Sequence, residues 1–330
     1  MTRGGPEKRP GEKTETDEFS DARRPEGRKR TRLRLGGGRL LDVDAFFVAG
    51  IVNLTPDSFS DGGLYAHPDA ALGRVRAILR QGAFFVDLGA ESTRPGCADT
   101  GQAEEWRRLA PVLEAVLPLR LARDEPESPA PPSFCLCVDT FRAGTAAAAL
   151  GAHENIPGVL PVDLINDISG GFLDPAMDET LAARKPGYVL GHCPIPPSRM
   201  SGRERYPDVA DALLAWFSAR LEALVRKGLP EDCVCLDPCI GFAKSDADAL
   251  RIIAALPRFA ALGRPIYLGL SRKGILGTLT GLPPEKRDAA TAAACALLAL
   301  AGVDIHRVHD VESCLAALKI AAAFRPRDLA

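Results

Sequence analysis

From Val48 onward the chain alternates between two rhythms. Short apolar runs are followed by longer segments in which apolar residues return every three or four positions. The first rhythm predicts buried strands and the second predicts amphipathic helices. Strands are predicted at about 48–53, 84–88, 134–138, 163–166, 187–191, 234–237, 266–270 and 305–308. Helices are predicted at about 69–81, 103–117, 141–150, 175–184, 208–227, 246–260, 286–301 and 312–323. The helical spacing is plainest at 208–227, where Val209, Leu213, Leu214, Phe217, Leu221, Leu224 and Val225 recur at three and four. Eight strand–helix units with no break in the alternation predict an α/β chain with a single (β/α)8 TIM barrel over 32–330, rather than a doubly wound sheet.

Ahead of the barrel, Leu33 and Leu35, then Gly36-Gly37-Gly38, then Leu40 and Leu41 predict a hairpin that plugs or flanks the barrel bottom. Residues 1–31 are charge, Gly, Pro and small polar residues. They hold too little apolar surface to offset the entropy of ordering, which predicts a disordered tail. Its basic cluster Arg28-Lys29-Arg30 lies among acids and reads as solvated rather than as a nucleic-acid contact. Arg120–Ser133 and Ala152–Val162 interrupt the rhythm before the third and fourth strands. Both fall at the N-terminal ends of strands, the face tied to stability rather than chemistry.

Composition narrows the function classes. The chain has 330 residues, is 46% hydrophobic and 25% charged, and carries a formal net charge of -2. That is a globular profile without a global basic field, so nucleic acid is not an expected partner. No apolar run is long enough for a bilayer and no apolar leader opens the chain, so neither membrane nor export is expected. Nine cysteines in such a chain are expected to be reduced thiols in a cytoplasm.

The strand ends carry the chemistry. In a barrel their C-terminal ends converge on one mouth. The first strand runs into Asn53-Leu54-Thr55-Pro56-Asp57-Ser58-Phe59-Ser60-Asp61-Gly62-Gly63, a loop of short polar side chains. Asp87 ends the second, followed by Glu91-Ser92-Thr93-Arg94-Pro95-Gly96. Asp139-Thr140, Asn166-Asp167, His192 and Asp237-Pro238 end the next four. Ser271-Arg272-Lys273 and Arg307-Val308-His309-Asp310 end the last two. Singly, each is an ordinary cap or solvated turn. Together they sort by charge. Asp87, Asp139, Asn166 and Asp237 follow short apolar runs and are expected deep, while Arg94, Lys273, Arg307 and His309 are expected further out. Deep carboxylates and an amide suit a planar heterocycle with several N–H donors. An outer ring of cations, with a protonated histidine among them, suits an anion such as diphosphate. Asn53 and Thr93 suit the anion or a magnesium ion bound to it, and Mg2+ uses few protein ligands.

These motifs, in this order, resemble the dihydropteroate synthase family from about Arg32 onward. The resemblance implies a (β/α)8 barrel of folate biosynthesis that joins p-aminobenzoate to 7,8-dihydropterin-6-ylmethyl diphosphate, with Mg2+ as cofactor and a homodimer as the assembly. It implies that Asp139, Asn166, Asp237 and Lys273 hold the pterin with Asp87 beneath. Asn53, Thr93, Arg94, Arg307 and His309 would hold diphosphate, Asn53 also the metal. Phe59, Pro95, Phe242 and Gly274 would shape the aminobenzoate pocket, and the loops at about 55–66 and 91–101 would close over it. Asp237, Lys273, Arg307 and His309 would carry catalysis.

The chain departs from the family pattern twice: Ile195 stands where glycine is usual, and Gly274 where a serine often contacts the aminobenzoate carboxylate. These departures keep two other readings open, a pterin-binding paralogue without synthase activity and a corrinoid-type pterin-dependent methyltransferase. Among the cysteines, Cys135 with Cys137 and Cys233 with Cys235 are expected as core packing on one strand face each. Cys97, Cys193 and Cys239 are expected near the mouth, in spacings that match no zinc pattern.

Overall fold

The computed structural model describes residues 31–44, 46–55, 68–120, 134–200 and 206–324. The expected tail, apart from Thr31, and most of the Arg120–Ser133 excursion lie outside the described residues, as does Phe59 with the loop around it. The chain opens with an antiparallel hairpin, β1 (Thr31–Arg34) and β2 (Leu40–Val43). The barrel strands follow as β3 (Phe47–Asn53), β4 (Phe85–Gly89), β5 (Cys135–Asp139), β6 (Leu164–Asp167), β7 (Gly187–Gly191), β8 (Val234–Asp237), β9 (Tyr267–Leu268) and β10 (Ile305–Val308). The helices are α1 (Pro68–Arg80), α2 (Gln102–Val116), α3 (Ala143–Gly151), α4 (Met177–Arg184), α5 (Val209–Arg226), α6 (Asp246–Ala254), α7 (Leu256–Ala260), α8 (Gly274–Thr280), α9 (Asp288–Leu300) and α10 (Val311–Ala323).

The eight barrel strands are parallel, in the order β8-β7-β6-β5-β4-β3-β10-β9. A single bridge between Leu236 and Ile266 joins β8 to β9 and closes the ring. Two features differ from the sequence expectation. The helix expected at 246–260 is two helices, because Pro257 has no N–H to extend α6 through Ala255. The helix α8 directly after Lys273 was masked by its two glycines, Gly274 and Gly277, poor helix formers.

Strand parity explains the layers. Side chains alternate faces along a strand, and here one parity turns outward. Val86, Leu88, Leu136, Val138, Ile165, Leu190 and Leu236 join the helices in the main core. The other parity turns into the barrel, where Ala49, Phe85, Cys135, Cys137, Leu164, Val189, Cys235, Tyr267 and Ile305 pack together with Leu33, Leu35 and Val43 of the hairpin. The hairpin is therefore the barrel's lower plug. Cys135 and Cys137 share the inner face as expected. Cys233 does not share one with Cys235: it lies in a 3-10 turn before β8 and packs in the outer layer.

One buried carboxylate pins the plug. Asp163, at the root of β6, takes Arg39 of the hairpin on one oxygen and Arg120 on the other. Asp163 also accepts the Leu136 N–H at 2.7 Å, and Arg120 donates to the carbonyls of Leu160 and Pro161. Gly36 sits against this stretch so closely that a Cβ would lie 2.0 Å from the Val162 oxygen. The Ala152–Val162 segment thus works at the plugged end, the stability face. The side chains of Asp163 and Arg120 are both fully buried. Asp163→Ala should leave Arg120 as an uncompensated buried cation and cost about 3–5 kcal/mol. Urea denaturation checks this; a loss below about 1 kcal/mol would show that the ion pair does not hold the plug.

Candidate active site at the barrel mouth

The inward parity that carries Phe85, Cys137, Leu164, Cys235 and Ile305 reaches, one step higher, Asp87, Asp139, Asn166, Asp237 and Arg307. These five side chains meet because they share a strand face. Asp87 is fully buried. Its Oδ2 accepts the Asn166 amide at 3.3 Å, the Tyr267 hydroxyl at 3.2 Å and Arg307 Nε. The other end of the Arg307 guanidinium donates to Asp139 Oδ2 at 2.6 Å. The two carboxylates hold Arg307 firmly in its charged form. Burial pushes the Asp139 carboxyl above the usual range, against the pull of Arg307. Asp237 is raised in the same way by burial, opposed mainly by Lys273, and its Oδ1 caps the Cys239 N–H at 2.7 Å.

The cations do not form the expected outer ring. Arg307 lies across the deep carboxylates, and only Arg94 is well exposed, on the loop after β4. Lys273 is held inward. Its Nζ donates to the Ile240 carbonyl and stands 4.1 Å over the Phe242 ring. Burial lowers its pKa to about 8, resisted by Asp237. His309 is not protonated near neutral pH. Burial and the charges of Arg272, Arg307 and Arg94 push its pKa down to about 3, and its Nδ1 pairs with Ser271 Oγ at 2.9 Å. The expectation of a cationic histidine took no account of that burial or of three neighbouring guanidiniums. Arg272 turns away to a bidentate pair with Asp288.

The remaining candidates fall around this floor. Asn53 ends β3, half-buried, in register with Gly89. Thr93 is half-buried and Pro95 exposed on the next loop. Gly274 opens α8 beside Lys273, with free space where a side chain would stand. Ile195 belongs to the mouth's flank, packed with Ile168, Cys193, Met200 and Cys239 rather than on the floor. His192 is buried edge-on against Trp216, with its ring centroid 4.7 Å away, and burial lowers its pKa to about 3. Asp167 points outward to Tyr188 and the turn at Ser169, so the Asn166–Asp167 pair divides between two faces. Cys97 bonds Ser92 on the loop after β4, at 3.0 Å. Cys193 and Cys239 are buried thiols whose pKa burial raises. Among the described residues no group of His, Cys, Asp and Glu has the arrangement of a metal site. Two residues of the site were missed by sequence reasoning. Tyr267 could have been found by strand parity, two positions before Gly269. Lys244 offered no signal beyond its place in the loop after β8.

This architecture matches known proteins over most of its length. The family model described as "Pterin binding enzyme" covers residues 49–309. The dihydropteroate synthase of Synechocystis is 34% identical over 278 residues, 84% of this chain and 89% of that protein. The structure of Xanthomonas albilineans dihydropteroate synthase with 4-aminobenzoic acid superposes with a TM-score of 0.77 at 35% identity, covering 91% of this chain and 100% of that one. The same enzyme in complex with 7,8-dihydropteroate gives 0.73 at 34% identity, covering 90% and 99%.

The two depressed histidines set a pH dependence. Their folded pKa of about 3 lies below the unfolded value of about 6.5. On acidification the unfolded chain therefore takes up protons first. Each ring should withdraw stability as pH drops below about 6.5, continuing toward 3, by up to about 1.4 kcal/mol per pH unit, while the raised carboxyls of Asp139 and Asp237 contribute in the opposite direction. Histidine NMR shifts between pH 8 and 5 check this ring by ring; a His309 titration midpoint near 6.5 would overturn it.

Proposed function

The chain belongs to the family of pterin-binding enzymes, and we propose that within it the chain acts as a dihydropteroate synthase. It condenses 7,8-dihydropterin-6-ylmethyl diphosphate with p-aminobenzoate, giving 7,8-dihydropteroate and diphosphate in folate biosynthesis. A carbon–oxygen bond breaks at the pterin methylene, a carbon–nitrogen bond forms to the aniline nitrogen, and that nitrogen loses a proton. The observation that carries the reading is the floor of buried Asp87, Asn166 and Asp237 with nearly buried Asp139, flanked by Arg307 and Lys273. Such a floor suits a flat, polyfunctional heterocycle attached to an anion.

The residues divide the work. Asp139, Asn166, Asp237 and Lys273 read the pterin edge, with Asp87 beneath. Asp237, a carboxylate near the reacting methylene, steadies positive charge as diphosphate departs. Arg307 and Arg94 neutralise the leaving diphosphate, with Thr93 and the neutral His309 as hydrogen-bonding partners. Phe242 and Pro95 flank the aminobenzoate ring, with Phe59 from the loop outside the described residues, and Gly274 lies by its carboxylate. The donor chemistry fits magnesium only in a minor protein role. Asn53 offers one hard amide oxygen, so diphosphate and water would supply the other ligands. Bound there, Mg2+ would supply charge neutralisation to the leaving group.

All nine cysteines are free thiols, and no helix of the described residues is long and apolar enough to cross a membrane. The free thiols support work in the cytoplasm. Exposed Leu297 and Leu300 on α9, Ile320 on the neighbouring α10 and Phe324 at the end of α10 support a homodimer.

Purified chain with both substrates and magnesium should release diphosphate only as p-aminobenzoate is supplied; release independent of it would sink the synthase reading. Arg307→Ala should lower kcat/KM for the pterin diphosphate by an amount equivalent to about 2–5 kcal/mol of transition-state stabilisation, since it also strands the carboxylates of Asp87 and Asp139. An unchanged value would place Arg307 outside the reaction. Gly274→Ser, for which there is room, should lower KM for p-aminobenzoate roughly tenfold through one added hydrogen bond. A KM that does not fall would show that the carboxylate lies elsewhere.

A further inference from the structure

The loop after β8 runs from Asp237 to Lys244 and brings Phe242 to the mouth. Two of its residues, Cys239 and Ala243, are not glycine yet hold the left-handed conformation, with φ of 51° each. Such a backbone persists only where its surroundings over-determine it. Lys244 supplies that constraint. Its ammonium is buried, and its hydrogen bonds go to three main-chain carbonyls: His192 at 2.7 Å, Phe242 at 3.2 Å and Cys239 at 3.3 Å. An ammonium has three donors and no acceptor, so this set uses it fully. His192 lies just past the end of β7, so the grip ties the loop to the neighbouring strand end. From the other side Lys273 donates to the carbonyl of Ile240 and stands over the Phe242 ring. Two ammonium groups thus grasp one short loop, and only Lys273 reaches the site floor.

We propose that Lys244 is a positioning residue of the mouth: its ammonium holds Cys239–Ala243 in the conformation that presents Phe242 and the Ile240 carbonyl to Lys273. For the substrates this rests on the synthase reading, which makes Phe242 a wall of the aminobenzoate pocket. Lys244 acts on aminobenzoate through Phe242 and touches neither substrate. Of the pterin floor, Asp87, Asp139, Asn166 and Arg307 on β4, β5, β6 and β10 stay in place without it; only Asp237, which caps the Cys239 N–H, and Lys273, which holds the Ile240 carbonyl, touch the loop.

The test pairs Lys244→Met with a relaxed loop, Cys239→Gly/Ala243→Gly, in the full chain. Glycine adopts positive φ at no steric cost, so it does not need the clamp. Lys244→Met should raise KM for p-aminobenzoate by about tenfold or more, with a clearly smaller rise in KM for the pterin diphosphate, transmitted through Asp237 and Lys273. Adding the two glycines should restore most of the loss, while the same glycines beside Lys244 should change little. Amide hydrogen exchange reports on the clamp without any substrate: loop 239–243 should exchange faster in Lys244→Met and slow again with the glycines. Equal effects on both substrates, or no recovery with glycine, would overturn the proposal. If Lys244→Met does not fold, the triple variant decides. The proposal requires it to fold and bind aminobenzoate, and its failure to fold would make Lys244 a general core residue. Lack of turnover in the unsubstituted chain would defeat the synthase reading instead, and the exchange rates would still judge the clamp.

Discussion

A carboxylate with no exposed surface must be answered by donors, and Asp87 is the group around which this barrel is arranged. The partners of its Oδ2 come from β6, β9 and β10, so satisfying that one oxygen fixes the relative height of strands far apart in sequence. Arg307 is the central answer, and because it also reaches Asp139 it sets the spacing across the mouth. The polar floor and the barrel's register are in this sense one problem with one solution.

The two ends of the barrel solve it with opposite signs. At the plugged end a single carboxylate, Asp163, lies between two guanidiniums, Arg39 and Arg120. At the mouth a single guanidinium, Arg307, lies between two carboxylates, Asp87 and Asp139. The lower triad carries a formal surplus of one positive charge and is closed over by the hairpin. The upper one carries a surplus of one negative charge and faces the site. A floor with acceptors in excess is suited to N–H donors, which is the chemistry the proposed pterin supplies.

Much of this was legible from residue order, and the parts that were not share a cause. The eightfold alternation placed the strands, and polar residues after short apolar runs marked Asp87, Asp139, Asn166 and Asp237 as deep. The plug was visible in two leucine pairs around three glycines. What a guanidinium pairs with was not visible: Arg307 finds its partners 220 and 168 positions away, across the barrel. Charge state was equally hidden, because His309 is neutral through burial and through Arg272 and Arg94 on loops distant in sequence, together with Arg307 two positions before it. Lys244 escaped notice because its partners are main-chain oxygens, which every residue type offers.

The closure of the ring has a mechanical meaning. Between β8 and β9 the ladder narrows to one bridge, at Leu236 and Ile266, and β9 itself is two residues long. A cylinder opens first along its thinnest seam. Directly above that seam, Lys273 from the β9 side reaches across to the Ile240 carbonyl on the β8 side. Here a side chain sutures the sheet where the backbone barely does. A ligand that draws Lys273 away would therefore cut a stitch as well as make a contact, coupling substrate engagement to the give of the wall itself.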